Sequence, residues 1–191
     1  MARPDKRQEI LSAALELIAE QGFHGAPMAM IASRAKVAAG TIYCYFESRD
    51  ILIKELYCEI ELRMTSAMHE DYINELPVRA KFIHFSSKLL RYFTANPLDF
   101  LYVEQFHNSP YGAEYRRDKI LSTPEGCDDY RELFDQGVSQ RVVKDLPLVV
   151  LFALAFGPVV AVIRDHIQGV INLNDDLIEQ IASACWDSVK R

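Results

Sequence analysis

The chain has 191 residues, half of them hydrophobic and a quarter charged, which is typical of a soluble globular protein with one or two domains. Its four cysteines form no CxxC pair and have no histidine at the spacing of a metal site. This pattern argues against a zinc site or a disulfide scaffold and favours a reducing cytoplasm. The charged N-terminus predicts that there is no signal peptide.

The formal net charge of −6 is unevenly distributed along the chain. Residues 1–50 contain six basic and six acidic side chains, so the rest of the chain carries the whole negative excess. Because phosphate contacts depend on local basic and hydroxyl groups, the total charge neither supports nor excludes DNA binding. The asymmetry predicts two parts with different roles.

The first predicted helix covers residues 5–21, where apolar side chains recur at i, i+3 and i+4 from Ile10 onward. Gly22 is well placed to end this helix as its C′ residue. Three basic residues near the start have two interpretations that the sequence leaves open: contact with phosphates or a minor groove, or a solvated and frayed terminus. These residues are Arg3, Lys6 and Arg7.

Two short helical segments follow, joined by a tight turn. The first begins at Pro27, because proline suits the first position of a helix. After the turn Lys36–Ala39, the second segment covers Gly40–Phe46 and places Ile42 and Phe46 on one face. The hydroxyl and aromatic side chains on its other faces could contact phosphates and base edges, or could serve packing instead. The pattern indicates a helix-turn-helix.

The stretch from Ile31 to Leu52 resembles the DNA-binding signature of the TetR/AcrR family of bacterial repressors. The residues that match this signature at continuous spacing are Ile31, Ala32, Ala35, Val37, Gly40, Thr41, Tyr43, Tyr45, Phe46, Ser48 and Asp50. The resemblance implies an N-terminal three-helix DNA-binding domain, residues 1–47, and a larger helical effector-binding and dimerisation domain, residues 48–191.

Some positions depart from the family signature, and the expected DNA contacts change accordingly. Pro27 and Met28 replace threonines that touch a phosphate in many relatives. Lys36 replaces the usual glycine, and Arg49 replaces the usual lysine while keeping its positive charge. The expected DNA contacts are Lys36, Ala38, Ala39, Gly40, Thr41, Tyr43, Cys44, Tyr45 and Arg49.

The remainder of the chain is expected to be helical, so the predicted fold is all-α. Ser48 is a suitable N-cap for a long amphipathic helix, which connects the DNA-binding domain to the rest of the protein in the family. Further helices are predicted from Pro77, from Leu98 to about His107, from Tyr111 to Leu121, and from Glu125 to about Ser139.

The region between Phe82 and Phe134 is rich in aromatic residues. This composition fits a packed helical core, and it also fits an apolar cavity between helices. The resemblance favours the cavity, because relatives bind small effectors in this region, and a small apolar or amphipathic effector is therefore expected. The candidate effector contacts are Phe85, Phe93, Tyr102, Glu104, Phe106, His107, Tyr111 and Phe134.

The segment from Leu146 to Ile163 carries no charge, but a membrane-spanning helix needs about 20 apolar residues and Gly157-Pro158 interrupts this one. No membrane association is expected. A helix that is apolar on all sides is otherwise buried on all sides, here against the core and a second subunit.

The last predicted helix starts after Asn174 and has a similar apolar stripe. In the family, the last two long helices of each subunit form a four-helix dimer interface. The predicted homodimer contacts are Leu151, Leu154, Val159, Ile163, Ile178, Ile181, Cys185 and Trp186. For Trp186 the alternative is packing in the core.

The sequence contains no arrangement typical of a catalytic site. The five histidines are dispersed, and no HExxH, GxSxG or phosphate-binding glycine loop occurs. Neither an enzyme activity nor a cofactor nor a metal is expected. Cys44 could report oxidation to DNA binding, although a thiol without such a role is the simpler interpretation.

The sequence therefore predicts a cytoplasmic homodimer that represses transcription. It would bind a pseudo-palindromic operator with Gly40–Phe46 in a major groove until a small effector releases it. Two alternatives remain: an activator or corepressor-dependent regulator with the same DNA contacts, and an enzyme or carrier that uses the aromatic cavity.

Overall fold

The computed structural model describes residues 5–121 and 129–191, and within these ranges the chain folds into helices, which confirms the predicted all-α fold. The helices are α1 (Lys6–Gly25), α2 (Met28–Arg34), α3 (Ala39–Tyr45), α4 (Arg49–His69), α5 (Val78–Ala95), α6 (Pro97–His107), α7 (Pro110–Leu121), α8 (Asp129–Ser139), α9 (Leu148–Ile167) and α10 (Asp175–Val189). The predicted start of α8 at Glu125 lies outside the described residues.

Local side-chain chemistry sets several of the helix ends. The Ser48 hydroxyl accepts a hydrogen bond from the Ile51 amide at 3.2 Å, and the Asn174 side chain accepts one from the Leu177 amide at 2.9 Å. Both predicted N-caps are therefore present. Gly22 has a φ of 72° and interrupts the helical backbone of α1, as expected of a C′ glycine.

The described chain divides into two compact units. Unit 1 comprises residues 5–63 and Asn96–Asp118, and unit 2 comprises Met64–Ala95 with residues 119–121 and 129–191. The predicted domain boundary after residue 47 therefore differs from the division in the structure. Unit 1 also contains most of α4, the whole of α6 and most of α7.

One hydrophobic core holds unit 1 together. α1, α2 and α3 contribute side chains that are almost completely buried, and Tyr102 and Phe106 of α6 are buried in the same cluster. Phe106 stacks on Tyr57 of α4 with ring centroids 3.9 Å apart. Since a fully buried apolar side chain contributes about 1.5–3 kcal/mol, α6 is an essential part of this core.

Unit 2 is built around α5, which packs against α8, α9 and α10. The Phe82 ring of α5 lies 5.5 Å from the ring of Trp186 and 6.3 Å from that of Phe134, centroid to centroid. By length and composition α9 could also cross a membrane, a property that core helices of soluble proteins share.

The structure corrects most of the predicted dimer contacts. Six of the eight residues are at most 5% exposed inside a single subunit, so they form the core of unit 2. These are Leu151, Val159, Ile163, Ile178, Cys185 and Trp186. Leu154 and Ile181 are half-buried. The physical reason is that a helix with apolar residues on every side gives no signal for which side faces inward.

Candidate DNA-binding interface

The turn between α2 and α3 is a Schellman motif. The Val37 amide donates to the Ala32 carbonyl at 3.0 Å, and the Lys36 amide donates to the Ser33 carbonyl at 3.2 Å. This pair of hydrogen bonds requires a left-handed residue at the C′ position, where Lys36 has a φ of 54°. This geometry explains why the family signature has a glycine at position 36. A lysine at this position raises the free energy of the folded state, because its side chain disfavours a left-handed backbone.

Helix α3 is anchored by one face and exposes the others. Ile42 and Phe46 are completely buried, whereas Tyr43 is 56% exposed and Tyr45 is 43% exposed. This agrees with the prediction that Ile42 and Phe46 share the inner face. The exposed tyrosines present hydroxyl groups and ring edges, which are suited to phosphate oxygens and base edges.

The other predicted contacts on α3 are also accessible. Thr41 is half-buried and Cys44 is exposed, with the thiol donating to the Gly40 carbonyl at 3.5 Å. Ala38 and Ala39 are exposed at the start of the helix. The start of α3 therefore carries small exposed side chains, and the side chains that follow carry hydroxyl groups.

In the described structure, neither the backbone conformation nor the packing around position 40 requires a glycine there. Its φ lies outside the left-handed region, and a Cβ added to it would meet no protein atom within 4 Å. Glycine at such a position lets another molecule approach the backbone closely.

Most of the basic side chains near this surface are engaged by the protein itself. Arg34 pairs with Glu20 and Glu16 at 3.1 Å each, and these hydrogen bonds raise the pKa of its guanidinium above the usual value. Arg7 forms ion pairs with two carboxylates of α4. Within residues 5–50, Lys36 is exposed and has no carboxylate partner, so its charge is available beside the turn.

Arg49 differs from its predicted role. Its guanidinium donates to the carbonyl oxygens of Phe23 and, at 3.3 Å, of Ala26, and the side chain is half-buried. These bonds tie the start of α4 to the connection between α1 and α2. The predicted bidentate phosphate contact would have to compete with them.

The eight predicted effector contacts do not lie in one unit. Phe85, Phe93 and Phe134 belong to unit 2, and the other five belong to unit 1. Of these five, Tyr102 and Phe106 are core residues, at most 1% exposed, and the Tyr102 hydroxyl donates to the Ile53 carbonyl at 2.7 Å. Burial also raises the pKa of Tyr102. Both side chains complete the core of unit 1, and their assignment as effector contacts stays a prediction.

The remaining three, Glu104, His107 and Tyr111, are partly exposed. In the part of the chain that the structure describes, no group of three histidine, cysteine or acidic side chains is arranged to hold a metal ion.

Two family models match the chain. The model described as bacterial regulatory proteins, tetR family, matches residues 10–56, and the model described as tetracyclin repressor-like, C-terminal domain, matches residues 77–190. Among curated proteins, an HTH-type transcriptional regulator from Haemophilus influenzae is 22% identical over 100% of this chain and 98% of its own length.

Solved structures give the same result. A TetR family transcriptional regulator from Vibrio parahaemolyticus is 30% identical with a TM-score of 0.75, covering 98% of this chain and 99% of its own. A tetR family transcription regulator from Shewanella sp. PV-4 has the same fold, with a TM-score of 0.85 at 23% identity, covering 98% and 99% of the two chains.

Proposed function

Because the chain belongs to the TetR family and is a DNA-binding transcriptional regulator, we propose that it represses transcription from a pseudo-palindromic operator and is released by a small-molecule effector. The observation that carries this proposal is the division of α3 into an anchored and an exposed face. Ile42 and Phe46 fix the helix, so Tyr43 and Tyr45 are held at the surface in a defined orientation.

In the proposed complex α3 enters the major groove. Thr41, Tyr43 and Tyr45 supply hydroxyl groups and ring edges to bases and phosphates. Gly40 lets the start of α3 approach the DNA backbone, and Lys36 supplies a charge to a phosphate beside the turn. Arg49 mainly supports this surface from inside.

Regulators of this family are typically dimers, and α9 offers a surface for a second copy of the chain. Its buried residues recur every four positions, and the opposite face is apolar but exposed. This outer face consists of Val149, Val150, Ala153, Gly157, Val160 and Ala161. A Cβ added to Gly157 would meet no atom within 4 Å, so a helix of a second subunit could pack closely there.

A dimer would hold two copies of α3 at a fixed separation, which suits half-sites about one helical turn, or roughly 34–36 Å, apart. The effector would favour a separation that no longer fits the operator. By linkage, operator DNA would weaken effector binding by the same factor. The aromatic content of unit 2 supports a small apolar or amphipathic effector.

The double variant Thr41→Ala/Tyr43→Ala tests the proposed reading surface. Since each good base contact contributes about 1–3 kcal/mol, specific binding should fall by roughly 30-fold or more, while the fold is retained. The matched control is Ile73→Ala/Gln140→Ala, which removes two exposed side chains from unit 2. Specific binding that survives the first double change would contradict the proposal.

The sign of regulation needs a separate measurement. A small molecule that weakens operator binding would support a repressor released by its effector. A molecule that tightens operator binding would instead identify a corepressor-dependent regulator with the same DNA contacts.

A further inference from the structure

The part of α1 that ends at Gly22 is held by a side chain from α6. The side-chain amide nitrogen of Gln105 donates to the Ile18 carbonyl at 2.9 Å and lies 3.4 Å from the Ala19 carbonyl. These carbonyls belong to the last turn before Gly22, where a helix has carbonyl groups without partners of its own. Gln105 therefore caps the part of α1 that ends at Gly22, although it is 87 residues away in sequence from Ile18.

The chain provides space for this contact. A Cβ added to Gly22 would lie 3.4 Å from the side-chain oxygen of Gln105, so the glutamine lies directly over this glycine. Gly22 thus meets two requirements, a positive φ that ends the helix and room for the capping side chain.

The next residue, Phe23, adds an aromatic contact to the same place. Its ring packs edge-on against Tyr102 at 5.9 Å and against Tyr111 at 5.7 Å, centroid to centroid. The Tyr111 hydroxyl donates to the carboxylate of Asp50 at 2.6 Å, immediately after the segment that follows α3. Residues of α6 and α7 therefore hold both the connection that leads into α2 and the first turn of α4.

We infer that Gln105 is a positioning residue for DNA recognition, because its cap on the carbonyl groups before Gly22 fixes the end of the helical part of α1 against which α2 and α3 pack. This inference rests on the proposed function, since it concerns the surface that reads DNA. It does not require Gln105 to touch DNA.

The first experiment measures the cap without DNA. The variant Gln105→Met keeps the size of the side chain and removes its donor. By hydrogen exchange of the full-length protein, amides in residues 18–26 should exchange about five- to tenfold faster, while those of unit 2 exchange as in the wild type. Gln140→Met is the matched control, because Gln140 is exposed at the end of α8. Unchanged exchange in residues 18–26 would overturn the inference.

The second experiment connects the cap to recognition. The probe is a DNA duplex selected from a randomised library by the wild-type protein. Gln105→Met should bind this duplex about fivefold more weakly while hydrogen exchange in unit 2 is unchanged, and Gln140→Met should bind like the wild type. Faster exchange with unchanged DNA affinity would overturn the positioning role.

A third variant separates hydrogen bonding from packing. Gln105→Glu replaces only the amide nitrogen with oxygen, so a carboxylate faces two carbonyl groups at pH 8. The two facing carbonyl oxygens and partial burial disfavour the charged form, so the pKa of this carboxyl group should lie above its usual value of about 4.3. The DNA affinity relative to the wild type should therefore rise as the pH falls from 8 to about 5 and the carboxyl group becomes a donor. A ratio that does not change with pH would contradict the inference. If the wild-type protein selects no duplex, the proposed function fails, and the hydrogen-exchange result still decides on the cap.

Discussion

Replacing Lys36 with glycine should make the protein more stable and at the same time a weaker DNA binder. Lys36 has a φ of 54° at the C′ position of α2. A left-handed conformation costs a residue with a side chain about 1–2 kcal/mol, and glycine removes this cost. Glycine also has more freedom in the unfolded chain, which opposes the gain by about 0.4–1 kcal/mol. The free energy of unfolding should therefore rise by about 0.5–1 kcal/mol, or about 1–4 °C in melting temperature.

The effect on DNA binding has the opposite sign. Lys36 is exposed and has no carboxylate partner within residues 5–50, so its loss should remove one phosphate contact. The slope of log affinity against log salt should fall by about 0.9, and affinity should fall roughly tenfold. Melting curves and salt titrations of Lys36→Gly measure both effects.

Two control variants separate these contributions. Lys36→Gln should lower the salt slope equally without stabilising the fold, because it keeps a side chain at the left-handed position. Arg141→Gly, at an exposed residue with a φ of 59° in unit 2, should stabilise the fold without changing DNA binding. A Lys36→Gly protein that is less stable than the wild type would refute the conformational argument. An unchanged salt slope would refute the phosphate contact.

Three further predictions concern other surfaces of the protein. Gly40→Ala should leave the free energy of unfolding unchanged or raise it by up to about 1 kcal/mol, since the added Cβ meets no protein atom. It should nevertheless weaken operator binding measurably, and binding equal to the wild type would show that DNA does not approach the backbone closely there. Ala153→Glu should give monomers in sedimentation at concentrations where the wild type is dimeric, and an unchanged mass would exclude the outer face of α9 as the interface. The hydrogen bond to Asp50 and partial burial raise the pKa of Tyr111 above its usual 10.0, so the fold favours the protonated phenol. Its contribution to stability should be fully present below pH 10 and be lost as the pH rises through the higher folded value. The difference in melting temperature between the wild type and Tyr111→Phe should therefore be constant below pH 10 and shrink as the pH rises above it, and a difference that stays constant at all pH values would contradict the assignment.

The DNA-reading part of the fold could be predicted from sequence because its determinants are local. Ile42 and Phe46 lie four residues apart and define the inner face of α3, and Ser48 caps the following helix within three residues. The signature has a glycine at position 36 because a turn of six residues needs a left-handed backbone conformation there. Patterns of this length can be recognised in a single sequence.

The extent of unit 1 and the inner faces of unit 2 could not be predicted, because they depend on contacts that are distant in sequence. The cap from Gln105 to Ile18 has no local signal, and neither has the burial of Tyr102 among residues of α1 to α4. In α9 and α10 the apolar residues extend around the helix, so sequence periodicity alone did not show that Trp186 packs against Phe82.

In vitro selection of DNA from a randomised library by the wild-type protein tests the central claim most directly. A dimer that inserts one α3 helix per half-site should enrich an inverted repeat whose half-sites are centred about one helical turn or more apart. The Thr41→Ala/Tyr43→Ala protein should fail to enrich the same repeat. Enrichment of the same sequence by both proteins, or no enrichment by the wild type, would contradict the account.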